Sequence, residues 1–320
     1  MKRHALSLGL PLALALSSIA CADLPVAAVD DSGPMADAGP NHDGGIPGED
    51  APLRVVRLPV GTADRPVDIN LPPQHDGTTR LPLFILLHGY GASGSAQDTY
   101  LGFSRAVRAA GGYSILPDGT LDATGRRFWN ASESCCNFAG SSVDDDAYLI
   151  SLVDRAEAAV PVDTTRIYFF GHSNGAFMAM HMACTHSDRI TGIGTLAGTE
   201  AVDFTCTTIT RPVSVLHLHG TADTTIQYNG GTVGAASFVG AEDVISRWAT
   251  RGGCDPTRTP GTPFDWDTLI AGSEATPSVY AGCDGGSAVE LWTLTGSGHL
   301  PVTNGAGMRS VIDWLLARQS

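Results

Sequence analysis

The sequence has few charged residues, and positive charge is the scarcer sign. Charged residues make up 16% of the 320 residues, and 19 Lys and Arg stand against 33 Asp and Glu, for a formal net charge of −14 at pH 7. Such an excess of negative charge repels phosphate backbones and disfavours anionic lipid surfaces. We therefore expect no nucleic-acid partner and no polybasic membrane attachment, and neutral substrates are favoured.

Several signatures of cofactor binding are also missing. The chain contains no phosphate-binding loop, no dinucleotide fingerprint and no internal repeat. Four of its histidines, His181, His186, His217 and His219, do not fall at metal-ligand spacing. The sequence therefore predicts neither a metal nor another cofactor. With 43% hydrophobic residues the chain can nevertheless bury a sizeable core, and one large domain fits its length.

The first 21 residues have the layout of an export signal. Positive charge at the start precedes an apolar run, residues 6–20, that is too short to span a bilayer. The signal ends either at an ordinary cleavage site or at Cys21, as in a bacterial lipoprotein. Seven cysteines favour the lipoprotein, because a lipidated Cys21 leaves six to pair, but Ser18 stands where a lipobox usually has Leu. We expect a secreted protein, or one anchored to the outer bacterial surface through Cys21 only.

Residues 22–52 have the composition of a flexible linker. The segment is rich in Asp, Gly, Pro and Ala and shows neither helical nor alternating periodicity. It cannot bury enough apolar surface to offset the entropy lost on ordering. The sequence thus predicts a signal over residues 1–21, a linker over 22–52 and a folded domain over 53–320.

Within residues 53–320, apolar runs typical of strands alternate with helical segments. This alternation predicts an α/β fold with a mostly parallel central sheet and helices on both faces. Residues 254–286 are irregular and are expected to form a lobe or excursion rather than a separate domain. The expected strands are 53–60 and 67–71 as an opening hairpin, then 81–87, 113–116, 166–170, 190–196, 213–219 and 289–294. The expected helices are 96–110, 144–160, 176–183, 242–251 and 308–318.

The strongest chemical signal is Gly171-His172-Ser173-Asn174-Gly175, between an apolar strand and a helical run. In such a G-x-S-x-G turn the serine occupies a strained strand-to-helix junction that exposes its hydroxyl. The flanking glycines are needed because side chains there would collide with neighbouring elements. Ser173 is therefore the predicted nucleophile, and the alternative is an ordinary serine in a Gly-rich turn.

A serine nucleophile needs a base and an orienting carboxylate, and in α/β-hydrolases these follow in the order Ser, Asp or Glu, His. Asp223 comes just after the apolar strand 213–219, and His299 follows the strand 289–294 through a Gly-rich loop. Asp223 is thus the predicted acid and His299 the predicted base. The alternatives are a turn or capping aspartate and a solvated loop histidine.

Two backbone N–H groups are expected to bind a developing oxyanion. One belongs to Asn174, at the start of the helix after Ser173, where the helix dipole also favours negative charge. The other is assigned to Tyr90, because the glycine-rich loop after strand 81–87 resembles those that donate a second N–H. His88 and His172 are expected to support these loops structurally.

These motifs together resemble the α/β-hydrolase group of polyhydroxybutyrate depolymerases, feruloyl esterases and acetylxylan esterases. The resemblance rests on His88-Gly89-Tyr90-Gly91, the Ser173 motif extended to Met178, residues 143–146, residues 219–223 and residues 296–299. It implies an α/β-hydrolase fold and ester hydrolysis through Ser173, Asp223 and His299. Related sequences often have Trp-Pro soon after the histidine. Here Leu300-Pro301 stands instead, which implies a different or roomier acyl pocket.

Six cysteines are candidates for disulfide bonds. We expect Cys184 to pair with Cys206 and Cys254 with Cys283, because each pair brackets one local excursion. Cys135 and Cys136 then remain for each other, and similar adjacent cysteines occur in the resembled family. Fifteen pairings of six cysteines are open to the sequence. A redox or metal role is the alternative.

The expected function is that of a serine esterase acting on a polysaccharide ester, a polyester or a small ester outside the cell. Two alternatives stay open. One is a serine peptidase of the same fold, because the same three residues also cleave amides. The other is a surface binding protein that has kept the fold and lost catalysis.

Overall fold

The computed structural model describes residues 56–132, 135–233 and 236–319. The predicted signal, Cys21 and the predicted linker lie outside these residues. The strands are β1 Val56–Pro59, β2 Asp68–Leu71, β3 Leu81–Leu87, β4 Tyr113–Ile115, β5 Thr120–Leu121, β6 Arg127–Phe128, β7 Val162–His172, β8 Gly192–Leu196, β9 Ser214–Gly220, β10 Gly231–Val233, β11 Ala236–Phe238, β12 Arg258–Pro260, β13 Ala275–Tyr280 and β14 Val289–Leu294. The helices are α1 Gly94–Leu101, α2 Phe103–Ala109, α3 Asp145–Ala159, α4 Asn174–Thr185, α5 Ala241–Arg251 and α6 Gly305–Leu316.

A ten-stranded sheet has the order β1-β2-β4-β3-β7-β8-β9-β14-β13-β12. Its six central strands, from β4 to β14, are parallel to their neighbours. The two edges are antiparallel, with β1 and β2 on one side and β13 and β12 on the other. The predicted mostly parallel sheet is therefore present, and it begins with the predicted hairpin.

Helices cover both faces of the sheet, and the strands are apolar on both sides as a result. In β3, Phe84 and Leu86 belong to one apolar cluster with residues of α2 and α6. The alternating residues Leu83 and Ile85 belong to the other cluster, with residues of α3, α4 and α5. This double coverage explains why β3 is a continuous apolar run in the sequence.

Two expectations about the elements were wrong. The helix predicted over 96–110 is divided into α1 and α2 at Gly102, which has a left-handed backbone with φ of 65°. The segment 254–286 is not a lobe or excursion, because β13 pairs antiparallel with β14 and β12 pairs antiparallel with β13, so both strands extend the main sheet. Many glycines and polar residues in segment 254–286 interrupt the apolar alternation by which strands are recognised in a sequence.

Among the described residues, no helix is both long and apolar enough to cross a membrane.

Candidate active site

Ser173 lies at the turn between β7 and α4, and its backbone is strained. Its φ of 53° and ψ of −120° are uncommon for a residue with a side chain. The two flanking glycines are required by space. A Cβ on Gly171 would lie 2.0 Å from the Gly175 carbonyl oxygen, and one on Gly175 would lie 2.2 Å from the Leu87 carbonyl oxygen. The local sequence therefore dictates the turn that presents the hydroxyl.

Asp223 and His299 lie on loops that follow two adjacent parallel strands. Strands β9 and β14 run in register to their ends, with Gly220 opposite Leu294. Their following loops therefore emerge side by side, at the carboxyl edge of the sheet where such folds place their sites. The structure thus brings together residues that are 76 positions apart in the chain.

The three side chains form a hydrogen-bonded series. Nδ1 of His299 donates to Oδ2 of Asp223 at 2.8 Å, and the hydroxyl of Ser173 donates to Nε2 of His299 at 3.0 Å. The Asp223 side chain is fully buried, whereas 14% of the His299 side chain is exposed. This arrangement can remove a proton from the serine hydroxyl and stabilise the imidazolium that results.

The environment of Asp223 keeps its carboxyl group ionised. Burial alone would raise its pKa, but the nearby His219 imidazole and the hydrogen bond from His299 hold the pKa of Asp223 well below its usual range. Oδ1 of Asp223 also accepts the N–H groups of Thr225 and Ile226, at 2.8 and 2.9 Å. Asp223 is therefore a negatively charged acceptor at any pH near neutrality.

The two N–H groups assigned to the oxyanion site belong to the residue after Ser173 and to the Tyr90 loop, in which a Cβ on Gly89 would lie 3.4 Å from Cβ of Ser173. The neighbouring N–H groups of the Tyr90 loop are both occupied, because Gly89 donates to Oε1 of Gln97 at 3.0 Å and Gly91 donates to the Arg127 carbonyl at 2.8 Å. In the described part of the chain, the structure gives no hydrogen-bond partner to the N–H of Tyr90 or of Asn174. The oxyanion assignment of these two groups stays a prediction.

The side chain of Asn174 has a role that the sequence analysis missed. Its Oδ1 accepts the N–H of Trp129 at 2.7 Å, and its Nδ2 donates to the carbonyls of Trp129 and Cys135 at 3.0 and 3.2 Å. Asn174 is completely buried. The residue after Ser173 thus binds the chain segment around Trp129 to the nucleophile turn. Nothing in the sequence signals this contact, because its partners are mainly backbone groups 39 to 45 residues away.

His88 and His172 are buried beside the site, as supporting residues would be. Nδ1 of His88 donates to the Gly89 carbonyl at 2.8 Å, and its Nε2 accepts the Gly119 N–H at 2.8 Å. Nε2 of His172 donates to the carbonyl of His299 at 3.0 Å. Burial lowers the pKa of His88 to about 4 and that of His172 to about 3. Both rings are therefore neutral at pH 7.

The structure joins the six candidate cysteines in three disulfides. Their pairs are Cys135 with Cys136, Cys184 with Cys206 and Cys254 with Cys283. The first pair lies in the segment held by Asn174, next to Ser173. The second links α4 to the loop that follows β8, and the third links the end of α5 to the loop that follows β13.

Two aspartates of the acidic motif at residues 143–146 bind different partners. Buried Asp145 accepts Nη1 of Arg65 at 2.6 Å and the N–H of Asn130 at 2.8 Å, which fixes the segment next to Trp129. Asp146 binds two imidazoles instead, His181 at 3.0 Å and His186 at 2.6 Å.

No group of three or more His, Cys, Asp or Glu within residues 56–132, 135–233 and 236–319 has a geometry suited to a metal ion.

Comparison with known proteins places these features in a group of hydrolases. A family described as phospholipase/carboxylesterase matches residues 141–237, the segment that contains Ser173 and Asp223. Feruloyl esterase B of Piromyces equi is 27% identical over 243 residues, which cover 73% of this chain and 42% of that protein. A protein of Nocardia uniformis subsp. tsuyamanensis that is named as an esterase is 26% identical over 320 residues, covering 91% of this chain and 88% of its own length.

One further protein sequence and one solved structure are similar to this chain. Poly(3-hydroxyalkanoate) depolymerase C of Paucimonas lemoignei is 27% identical over 247 residues, 71% of this chain and 56% of that protein. The chain thus spans less than two thirds of the length of this depolymerase and of the feruloyl esterase. The structure of an acetyl xylan esterase from Aspergillus awamori superposes with a TM-score of 0.58 at 15% identity, over 82% of this chain and 98% of that one. The predicted α/β-hydrolase fold and the predicted resemblance are confirmed.

Proposed function

We propose that this chain, which has the α/β-hydrolase fold and resembles feruloyl esterases and polyhydroxyalkanoate depolymerases, is a serine esterase. The observation that carries the proposal is the hydrogen-bonded series from Asp223 through His299 to Ser173, at 2.8 and 3.0 Å. The strained backbone at Ser173 and the lowered pKa of Asp223 support it, because both are typical of a site prepared for acyl transfer.

The reaction proceeds through an acyl-enzyme. Nε2 of His299 takes the hydroxyl proton of Ser173 while Oγ attacks the ester carbonyl, and the N–H groups of Tyr90 and Asn174 bind the negative oxygen of the tetrahedral intermediate. His299 then gives its proton to the departing alkoxide, so the alcohol leaves and the acyl group stays on Ser173. Water attacks this acyl-enzyme with His299 again as base, and the carboxylic acid is released.

The substrate is an ester of a polysaccharide, a polyester or a small neutral ester. The net charge of −14 favours neutral molecules over anionic ones. Next to the base, Leu300 is 54% exposed, and on the other side Phe138, also 54% exposed, packs edge-on against the ring of Tyr90. These apolar surfaces suit an uncharged acyl or alcohol group.

Action outside the cell is part of the proposal. The export signal at residues 1–21 and the three disulfides support it, because disulfides persist in oxidising compartments. Membrane attachment, where it occurs, is through a lipidated Cys21. The mass of the mature protein isolated from cells tests this point, since lipid on Cys21 adds the mass of its acyl chains.

The central test is Ser173→Ala. We expect kcat for p-nitrophenyl acetate to fall by about 10⁶-fold while the melting temperature stays within a few degrees. Ser151→Ala, on α3, is the matched control, because its hydroxyl only donates to the Tyr148 carbonyl within the helix. Activity retained by Ser173→Ala would refute the proposal.

Two further measurements separate the alternatives. Ser173-dependent cleavage of peptide p-nitroanilides would identify a peptidase, because ester cleavage alone does not distinguish the two activities. Failure of a fluorophosphonate probe to label Ser173 would identify a silent binding protein. A panel of methyl ferulate, acetylated xylan and polyhydroxybutyrate then ranks the ester substrates.

A further inference from the structure

Strand β9 changes character as it approaches Asp223. Side chains alternate across a strand, so Val215, His217 and His219 share one face of the sheet. Val215 is apolar, as expected beneath covering helices, but the next two positions on that face are histidines with no exposed surface. Burying imidazoles costs more than burying aliphatic side chains, unless every ring nitrogen finds a partner. Two adjacent buried histidines therefore call for an explanation.

Every ring nitrogen of the pair has a polar neighbour. Nε2 of His219 lies 2.7 Å from the Ile226 carbonyl oxygen and 3.4 Å from Oδ2 of Asp223. Both neighbours are acceptors, so this nitrogen carries a proton. Nδ1 of His219 lies 3.2 Å from Nε2 of His217, and Nδ1 of His217 lies 2.9 Å from the hydroxyl of Thr195.

With one proton on each imidazole ring, every hydrogen bond of this series has one donor and one acceptor. The Thr195 hydroxyl lies 2.9 Å from Nδ1 of His217 and 3.3 Å from the Leu216 carbonyl oxygen, and we assign its proton to the shorter contact. His217 then donates to His219, and His219 donates to the loop that carries Asp223. Burial, and then the neighbouring His219, lower the pKa of His217 well below its ordinary value, which is consistent with a single proton on that ring. Thr195 is itself fully buried on β8, the adjacent parallel strand, directly opposite His217.

His219, the last residue of this hydrogen-bond series, helps to fix the loop that carries Asp223. The backbone of Ile226 is bound at both of its polar groups. Its N–H donates to Oδ1 of Asp223, and its carbonyl accepts Nε2–H of His219. The same imidazole approaches Oδ2 of Asp223, the oxygen that accepts the hydrogen bond from Nδ1–H of His299. His219 therefore influences both where the carboxylate lies and how much negative charge it presents to His299.

We propose that His219 is a positioning residue for Asp223, and that His217 and Thr195 hold the His219 imidazole in the required orientation. The inference rests on the proposed function, because it assigns Asp223 as the partner of the base. A purely space-filling role would need none of these hydrogen bonds, since an aliphatic side chain such as Val215 fills the same face of β9.

The test compares His219→Phe with His219→Gln in the full chain. His219→Phe keeps a ring of similar size but removes both nitrogens, whereas Gln retains an N–H donor. We expect His219→Phe to lower kcat for p-nitrophenyl acetate by about 10- to 100-fold, with KM changed less than about twofold, because misplacement of a catalytic group acts mainly on the chemical step. His219→Gln should recover much of this loss.

Two readouts distinguish positioning from packing. The acidic limb of the kcat/KM pH profile and the downfield proton resonance of His299 Nδ1–H both report the contact between His299 and Asp223. His219→Phe should displace both, and Thr195→Val should displace them less. Val215→Ala is the control, because it loosens the same strand face without touching the histidines, so it should lower the melting temperature and leave both readouts in place.

The proposal is overturned if His219→Phe behaves as Val215→Ala does, with lower stability but unmoved resonance and pH limb. The resonance can be measured in Ser173→Ala as well, so it does not depend on turnover. If Ser173→Ala keeps its activity, the proposed function fails. If it loses activity but His219→Phe leaves the resonance unchanged, only the role of His219 fails.

Discussion

The two sides of Ser173 are built differently. On the acid–base side, formed by Asp223 and His299 with their loops, ionisable side chains bind one another at 2.8 and 3.0 Å. On the other side, which carries the proposed oxyanion site and is called the oxyanion side below, residues 89–91 and the segment around Trp129 are held mainly through backbone groups bound by neutral side chains. There Gln97 accepts the Gly89 N–H, and Asn174 binds the backbone of Trp129 on both its N–H and its carbonyl.

This difference implies different responses to substitution. A change on the acid–base side alters a proton-transfer partner directly, so it acts on kcat with little effect on folding. A change on the oxyanion side leaves buried backbone groups without partners, so it acts on stability as well. The following predictions test this contrast, beginning with the largest effect.

Among the changes that test this contrast, Asp223→Asn should have the largest effect on kcat and should act mainly on catalysis. An amide can still occupy the space, but it no longer stabilises the imidazolium of His299 and can favour the wrong tautomer. We expect kcat for p-nitrophenyl acetate to fall by about 10³- to 10⁴-fold. Asp163→Asn is the control, because Asp163 pairs with Arg166 near the start of β7 and should leave kcat unchanged. A fall of less than tenfold in Asp223→Asn would contradict the assignment.

Acid should destabilise the fold through His88 and His172. Their folded pKa values are about 4 and about 3, below the ordinary value of 6.5. As the pH falls below 6.5 the unfolded chain binds protons that the folded chain does not, so stability is lost progressively down to these folded values. At about 1.4 kcal/mol per pH unit for each histidine, these two together remove about 4 kcal/mol between pH 7 and pH 5. His217, whose pKa burial also lowers well below its ordinary value, adds to this loss.

Urea unfolding at pH 7 and pH 5 measures this loss. His88→Gln should reduce the stability difference between the two pH values by about 2 kcal/mol, because Gln does not titrate. Asp223 does not contribute in this window, since its lowered pKa preserves its stabilisation above about pH 4 and loses it only at lower pH. Equal stability at pH 7 and pH 5 would be inconsistent with two buried neutral histidines.

Asn174→Ala should show the mixed response expected of the oxyanion side. It leaves the Trp129 N–H and the carbonyls of Trp129 and Cys135 without their partner, which costs about 1–3 kcal/mol of unfolding free energy. We also expect kcat to fall by about tenfold, because the backbone N–H groups near Ser173 shift. Asn70→Ala, which loses one bond to Ser114 away from the site, serves as the control. An unchanged unfolding free energy would remove the contrast between the two sides.

Leu300→Trp should have the smallest effect and should act on selectivity. Leu300 is 54% exposed beside His299, so a larger ring there should change stability by less than about 0.5 kcal/mol. A new aromatic contact should raise kcat/KM for methyl ferulate relative to p-nitrophenyl acetate by about threefold. Val56→Trp, at a similarly exposed position on the edge strand β1, should leave the ratio unchanged. An unchanged ratio in Leu300→Trp would show that position 300 does not contact the acyl group.

The sequence predicted the centre of the fold better than its edges. A strand such as β3 is a continuous apolar run, because both of its faces are covered, and such a run is easily recognised. Strands β12 and β13 were missed because edge strands are only partly buried and carry polar residues. The break at Gly102 was also missed, since the residues on either side of it have helical character.

For the candidate site, the sequence by itself indicated the three candidate residues and their order along the chain. Ser173 is marked by the glycines its strained turn requires, and Asp223 and His299 are marked by their places after strands. Tertiary structure alone decided the surroundings of these residues. They include the hydrogen bonds of the Asn174 side chain to Trp129 and Cys135 and the buried hydrogen-bond series from Thr195 to His219. These contacts join residues distant in sequence or point at backbone groups, which have no residue-specific signature. A turn is encoded locally, whereas a partner across the sheet is known only after the strands have paired.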